Sequence, residues 1–343
     1  MKNMIFKRRL PIPKELKEMY PVSEEGARAK QSNDAEIKKI ITGGSDKMLL
    51  VIGPCSADRE DAVLEYIERL CALKDKVKDK IFIVPRIFTN KPRSNGAGYM
   101  GMLHQPDPNA EPDVLQGLIG LRRLHMRVLN ETGFSCADEL LYPEEHRFLS
   151  DLLSYVSVGA RSVEDQQHRL TASGLDIPVG MKNPQSGSLA ALLNSIRAAQ
   201  TPHTFIYRNW EVESKGNPLA HAILRGWSDA DGNPHSNFDF DTLTHLSGLY
   251  NESGLNNPAL IIDTNHANSG KDFLKQGDIA KDVLKSATKS AEIKRLLKGF
   301  MIESYLEDGC QQPGGSNYGQ SITDPCLGWK KTEKLILELA ELW

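Results

Sequence analysis

The sequence has no excess of positive charge, no apolar run long enough to span a bilayer, no Cys-x-x-Cys pair and no visible internal repeat. A formal charge of −3 removes the counterion-release energy on which general nucleic-acid or anionic-membrane binding depends, so any anion has to be held by a local cluster. No stretch approaches the roughly 20 apolar residues of a membrane span, and the basic residues 1–10 are not followed by the apolar core of a signal peptide. The expectation is a cytoplasmic protein with no nucleic-acid and no membrane partner. Five cysteines, Cys55, Cys71, Cys136, Cys310 and Cys326, are scattered and odd in number, which suits reduced thiols better than a disulfide framework.

A hydrophobic fraction of 40% and a charged fraction of 25% are ordinary for a globular chain, and 343 residues accommodate one large α/β barrel plus an extension. Residues 1–45, with Pro-rich and charged runs and a helical stretch near 27–41, read as an N-terminal extension, and residues 46–343 as the main domain. From Lys47 onward, short β-rich apolar runs alternate with longer amphipathic stretches, the pattern of βα units on a parallel sheet. Eight runs read as strands: 48–53, 81–86, 134–139, 155–160, 177–182, 204–208, 259–263 and 298–303. Eight such units close most economically into a (β/α)8 TIM barrel, with a doubly wound open sheet as the alternative.

A barrel puts its chemistry at the carboxyl ends of the strands. There the sequence places Cys55 after the first strand, Arg86 at the end of the second, Glu139 of the third, Arg161 after the fourth, Lys182 at the end of the fifth, His266 after the seventh and Glu303 at the end of the eighth. Closure makes the eighth strand a neighbour of the seventh and the first, so Cys55, His266 and Glu303 converge, with Asp324 in reach from the following loop. This mixed S/N/O set suits a borderline divalent ion, Mn, Fe, Co or Zn, without selecting one. Plainer readings stand beside it: Cys55 as a small buried hydrophobe, His266 bonded to loop backbone, Glu303 as half of an ion pair, Asp324 as a turn former before Pro325. Arg86, Lys91, Arg161, Lys182 and Arg225 gather basic charge on the same face of an acidic protein. Singly each reads as solvated surface; together they suit a ligand with more than one anionic group, and Lys91-Pro92-Arg93-Ser94 offers a second anion patch.

At these residues the chain resembles the type I 3-deoxy-D-arabino-heptulosonate-7-phosphate synthases of the larger microbial group. The resemblance rests on Gly53-Pro54-Cys55-Ser56, Lys91-Pro92-Arg93, Gly159-Ala160-Arg161, Pro178-Val179-Gly180-Met181-Lys182-Asn183, Ile223-Leu224-Arg225-Gly226, His266-Ala267-Asn268, Glu303-Ser304 and Tyr318 through Asp324, in order over nearly the whole barrel. It implies phosphoenolpyruvate and erythrose 4-phosphate as substrates and a divalent metal held by Cys55, His266, Glu303 and Asp324. It also implies that Arg161 and Arg225 hold the phosphoenolpyruvate phosphate, Arg86 and Lys182 its carboxylate, and Arg93 and Ser94 the aldose phosphate, with Glu139 in the substrate-binding set. Lys91 would stand near the aldehyde oxygen, forming the catalytic group with Cys55 and His266. The extension implies oligomer and effector contacts, in a homodimer or homotetramer.

Departures from the family pattern carry their own expectations. Ser94-Asn95 stands where many members have Thr-Thr, which keeps a hydroxyl. Residues 205–212 are expected to form a shorter hairpin than the one lining the effector pocket of regulated members, and Tyr207 and Asp176 are bulkier or more charged than expected there. Feedback by an aromatic amino acid is therefore expected to be altered or absent. The competing readings are a synthase using arabinose 5-phosphate, a metal-dependent aldolase releasing pyruvate, and a silent barrel that senses sugar phosphates; no metal ligand or mouth arginine is missing, as a silent barrel would require.

Overall fold

The computed structural model describes residues 2–93 and 96–343. Eight parallel strands share one sheet: β1 Met48–Gly53, β2 Ile81–Pro85, β3 Cys136–Glu139, β4 Leu153–Val158, β5 Val179–Lys182, β6 Ala220–Leu224, β7 Leu260–Asp263 and β8 Leu297–Glu303. Their order, β2-β1-β8-β7-β6-β5-β4-β3, follows the chain around a ring. The two ends meet just past β2, where Arg86 bridges Ala137 in parallel and the Ile87 amide donates to the Ala137 carbonyl at 2.9 Å. The sheet is a (β/α)8 barrel, not an open doubly wound sheet.

Both faces of the barrel wall are buried, which is why its strands read as continuous apolar runs rather than as alternation. Along β1, Leu49 and Val51 join the interior with Val84, Ala137, Tyr155, Ile223, Ile261 and Met301. Met48, Leu50 and Ile52 join the layer beneath the helices instead. Inside, Tyr155 and His221 pair through Oη and Nε2 at 2.8 Å, and His221 Nδ1 donates to the Leu219 carbonyl at 2.9 Å. Burial lowers the His221 pKa to about 4, so this interior pair is neutral. Gly180 makes the room: a Cβ there would lie 2.4 Å from Tyr155 Oη.

The sixth strand corrects the sequence reading. Thr204–Tyr207, rich in β-formers, is not a barrel stave but one arm of an outer antiparallel hairpin with Trp210–Glu213, turning at Arg208 (φ 60°). Ile206 and Trp210 stand 83% and 72% exposed on it. The stave is Ala220–Leu224, wholly buried between β5 and β7. Ala, His and Ala have weak intrinsic strand preference, but partners on both edges hold them in the ladder.

The helices are α1 Pro13–Met19, α2 Glu24–Thr42, α3 Glu60–Val77, α4 Val114–Thr132, α5 His146–Leu149, α6 Gln166–Ser173, α7 Leu189–Gln200, α8 Phe240–Ser253, α9 His266–Ser269, α10 Gln276–Lys289, α11 Ala291–Leu296 and α12 Trp329–Leu342. Among the described residues, none is long and apolar enough to cross a membrane. Within residues 1–45, α2 is capped by Ser23, which accepts from the Gly26 amide, and is ended by Gly43 in the left-handed region. Its Ile37, Ile40 and Ile41, spaced to share one face, pack into the interior cluster beside Leu49, Leu219 and Ala259 at the amino ends of the strands. Thus α2 seals the end of the barrel opposite the polar mouth. Ile40→Ala is expected to cost about 2–5 kcal/mol in urea denaturation; a loss near zero would mean that the seal contributes no packing.

Candidate active site at the barrel mouth

The pairing of β1 with β8 sets Gly53 opposite Glu303, which brings Cys55, two residues on, to the Glu303 carboxylate. The loop after β8 folds back onto the same point. The Leu327 amide donates to the Glu303 carbonyl at 3.0 Å, Ser56 and Thr323 share a hydroxyl contact at 2.8 Å, and the Cys55 amide donates to Cys326 Sγ at 3.3 Å. As a result Cys55, Glu303 and Asp324 each offer a ligand atom within 4.8 Å of the others. His266 lies beside this trio rather than inside it, with Nε2 3.9 Å from Glu303 Oε1. Its Nδ1 is 2.9 Å from Asp263 Oδ2, which leaves Nε2 as the nitrogen facing the cluster.

The donor set fits a divalent cation. Burial, reinforced by the charge of Glu303, pushes the Cys55 thiol up against the pull of Lys91, whose Nζ is 3.0 Å from the sulfur, so without a cation the sulfur keeps its proton. Burial also opposes ionisation of Asp324, but the charges of His266 and Lys271 outweigh it and take that carboxyl down to about 2.

Around the cluster, a cavity of about 130 Å³ is lined by Arg86, Lys91, Arg93, Arg161, Lys182, Arg225 and Lys271 against two carboxylates, Glu139 and Asp324. Arg86 is fully buried, donates to Glu303 Oε1 at 2.8 Å and to the Pro54 carbonyl, and keeps Nε without a partner among the described residues. Lys182 Nζ is 3.0 Å from Asp263 Oδ2. Arg161 and Arg225 have no carboxylate partner among the described residues, and burial, aided by the charge of Arg161, lowers the pKa of Arg225 despite the pull of Asp263. Arg93 donates through Nε to the Tyr99 carbonyl at 2.9 Å, and Glu139 lies so close to Gly159 that a Cβ there would be 2.1 Å from its Oε1. Ser94 lies outside the described residues.

The profile of the DAHP synthetase I family matches residues 20–337. The chain belongs to the DAHP synthetase I family. Relatives include the Tyr-sensitive phospho-2-dehydro-3-deoxyheptonate aldolase of Escherichia coli (strain K12), 35% identical over 96% of this chain and 92% of that one. The Phe-sensitive enzyme of the same strain is 36% identical over 96% and 93%, and the Trp-sensitive one 35% over 96% and 94%. The solved structure of phospho-2-dehydro-3-deoxyheptonate aldolase from Francisella tularensis SCHU S4 superposes with a TM-score of 0.92 at 30% identity, covering 99% of this chain and 98% of that one.

In this member of the DAHP synthetase I family, several supporting residues escaped the sequence reading. Phe88 floors the mouth: Arg86 Cζ stands 3.8 Å from its ring centroid, and the ammonium groups of Lys91 and Lys182 each stand 5.8 Å away. Gln276 grips the backbone of Glu303 at both its amide (2.9 Å) and its carbonyl (2.8 Å), and Asn265 donates to Glu303 Oε2 at 2.5 Å. Asn183 accepts from the Arg225 amide at 2.9 Å, Asn237 from the Gly226 amide at 2.8 Å, and Asn268 from the Asn237 amide at 2.9 Å. These three asparagines hold the loop that carries Arg225. Asn183 and Asn268 stood inside the family motifs without an assigned role, and Asp263 had its place at a strand end three residues before His266; Phe88, Asn237, Asn265 and Gln276 look like ordinary loop or helix residues.

Because the thiol must lose its proton to bind, titration of metal-free protein with Co(II) is expected to give a near-ultraviolet thiolate-to-metal band and to release about one proton per ion. Cys55→Ser should abolish the band. A band that persists in that variant would remove Cys55 from the ligand set.

Proposed function

We propose that this chain condenses phosphoenolpyruvate with erythrose 4-phosphate and water, giving 3-deoxy-D-arabino-heptulosonate 7-phosphate and inorganic phosphate. The observation that carries the reading is the contact between a thiol–carboxylate cluster and a pocket whose guanidinium groups at Arg161 and Arg225 make no direct ion pair among the described residues. Membership of the DAHP synthetase I family, and the names of the relatives, support the same reaction.

Phosphoenolpyruvate is a weak carbon nucleophile at C3, so the reaction depends on holding both anions in register and on stabilising charge at the aldehyde oxygen. Arg161 and Arg225 would take the phosphoenolpyruvate phosphate, whose charge relieves their mutual repulsion. Its carboxylate would lie between Lys182 and the unused Nε of Arg86. Arg93, with Ser94, would hold the aldose phosphate, while Glu139 orients the bound substrates by accepting hydrogen bonds. Cys55, His266, Glu303 and Asp324 would hold a divalent cation, Mn, Fe, Co or Zn, which when bound supplies Lewis acidity at the aldehyde oxygen. As C3 closes on the aldehyde carbon, Lys91 would give a proton to the alkoxide. Water then adds at C2, and phosphate leaves with cleavage of the carbon–oxygen bond.

Purified protein supplied with a divalent metal is expected to release phosphate from phosphoenolpyruvate only when erythrose 4-phosphate is present. Arg225→Ala is expected to raise the KM for phosphoenolpyruvate about tenfold or more. Release with arabinose 5-phosphate in place of erythrose 4-phosphate would reassign the aldose, and no release with either would end the reading.

The effector is a finer matter, since the Tyr-, Phe- and Trp-sensitive relatives are about equally distant from this chain. Two clefts of about 910 and 590 Å³ flank the outer hairpin, and Asp176 and Tyr207 line both. We read these two side chains as incompatible with ordinary aromatic feedback. Activity titrated with phenylalanine, tyrosine and tryptophan should stay close to its uninhibited value, and strong inhibition by any one of them would contradict this.

A further inference from the structure

Lys91 is preceded by Thr89 and Asn90, both with no solvent exposure, and apolar packing alone does not hold them. Asp138, on β3, accepts from the Thr89 amide at 3.0 Å through Oδ1 and from the Thr89 hydroxyl at 2.6 Å through Oδ2. Glu145, just before α5, has Oε1 3.1 Å from Thr89 Oγ1, and its Oε2 accepts from the side-chain amide of Asn90. On the other side the Lys91 amide donates to the Met100 carbonyl at 3.1 Å. A Cβ on Gly101 would come within 2.4 Å of the Thr89 carbonyl and 2.6 Å of Asn90 Cα. The segment leading into Lys91 is therefore clamped from two sides, by a close backbone approach and by a pair of buried carboxylates.

The hydrogen-bond arithmetic assigns the protons. Thr89 has one hydroxyl proton, and Asp138 is the nearer acceptor. Burial and the charge of Asp138 push the Glu145 carboxyl up to about 8, so at neutral pH it carries a proton that it donates to Thr89 Oγ1 while its other oxygen accepts from Asn90. Other titratable groups facing the pair are His125 from α4, whose Nε2 is 3.5 Å from Asp138 Oδ2, His146 from α5, whose pKa burial lowers to about 4, and Tyr142 and Cys136, both pushed up by burial and by the nearby charge of Glu145 and Asp138 respectively. A buried polar cluster of this kind adds little stability over an apolar core of the same shape, and its distinctive effect is to select one geometry. That geometry ends at a reactive group: Lys91 reaches Cys55 Sγ at 3.0 Å.

We propose that Glu145 is a positioning residue, acting with Asp138 through Thr89 and Asn90 to fix the direction in which Lys91 reaches the mouth. The inference rests on Lys91 serving the aldehyde side of the condensation described above. A displacement of about 1 Å in a reacting group can cost on the order of a hundredfold in rate, which sets the scale of effect available to such a clamp.

The test is steady-state kinetics in both substrates for wild type, Glu145→Leu, Glu145→Gln and Asn90→Ala. Leu removes both hydrogen bonds, and kcat/KM for the aldose phosphate is expected to fall about tenfold or more. The KM for phosphoenolpyruvate should stay within about twofold, because neither Glu145 nor Asp138 bonds to Arg161, Lys182 or Arg225. Gln offers an N–H to Thr89 and a carbonyl to Asn90, matching the protonated acid, and should recover most of the loss. Asn90→Ala breaks the link next to Lys91 while sparing both carboxylates, so it should show the same split even if the Leu variant fails to fold. The proposal is overturned if the folded variants keep wild-type kcat/KM for the aldose phosphate, if both substrates are affected alike, or if Gln fails as Leu does. Absence of turnover in the wild type would instead overturn the reaction assignment and the positioning role with it.

Discussion

The mouth of this barrel is organised around one buried ion pair, Arg86 with Glu303, each 1% exposed. An isolated buried pair of this kind costs several kcal/mol of desolvation per ion, and it survives only when the remaining donors and acceptors are also met. Here all but one are: Asn265 takes the second carboxylate oxygen, Gln276 takes the Glu303 backbone, the Pro54 carbonyl takes a guanidinium N–H and Phe88 lies under the guanidinium plane, while Arg86 Nε keeps no partner among the described residues. The pair forms because β1 lies between β2 and β8, so that Arg86 and Glu303 emerge on either side of Gly53. Cys55 and Asp324 then gather about a carboxylate whose position is already set.

The two ends of the barrel divide the physical work. At the amino ends, three isoleucines of α2 complete an apolar seal, and the interior above them holds a neutral tyrosine–histidine pair rather than a charged one. At the carboxyl ends, by contrast, cationic side chains crowd together with too few carboxylates to balance them. That crowding disfavours the empty pocket electrostatically, so a polyanionic ligand gains from relieving it. The apolar end and the strand ladders hold the shape that keeps those like charges together.

Legibility from sequence varied with the kind of residue. Strand-end polar residues stood out because they interrupt apolar runs where barrels carry chemistry, and seven of the eight staves could be found from those runs. The sixth could not: Thr204–Tyr207 has the composition of a stave and Ala220–Leu224 does not, and only pairing with β5 and β7 decides between them. Placing Arg225 directly after its true strand also shows what the three asparagines are for, since Asn183, Asn237 and Asn268 are far apart in sequence and meet only around that loop.

Sequence alone determined the architecture, the strand ends that bear function, and the types of donor available, because apolar periodicity and residue chemistry are local properties. It brought His266 to the same point as Cys55, Glu303 and Asp324, but could not say that His266 stands just outside that trio, that Phe88 underlies three cations, or that Glu145 shares a hydroxyl with Asp138. Those facts depend on distances between residues up to hundreds of positions apart. They arise only when the ring of strands closes and the loops above it are packed.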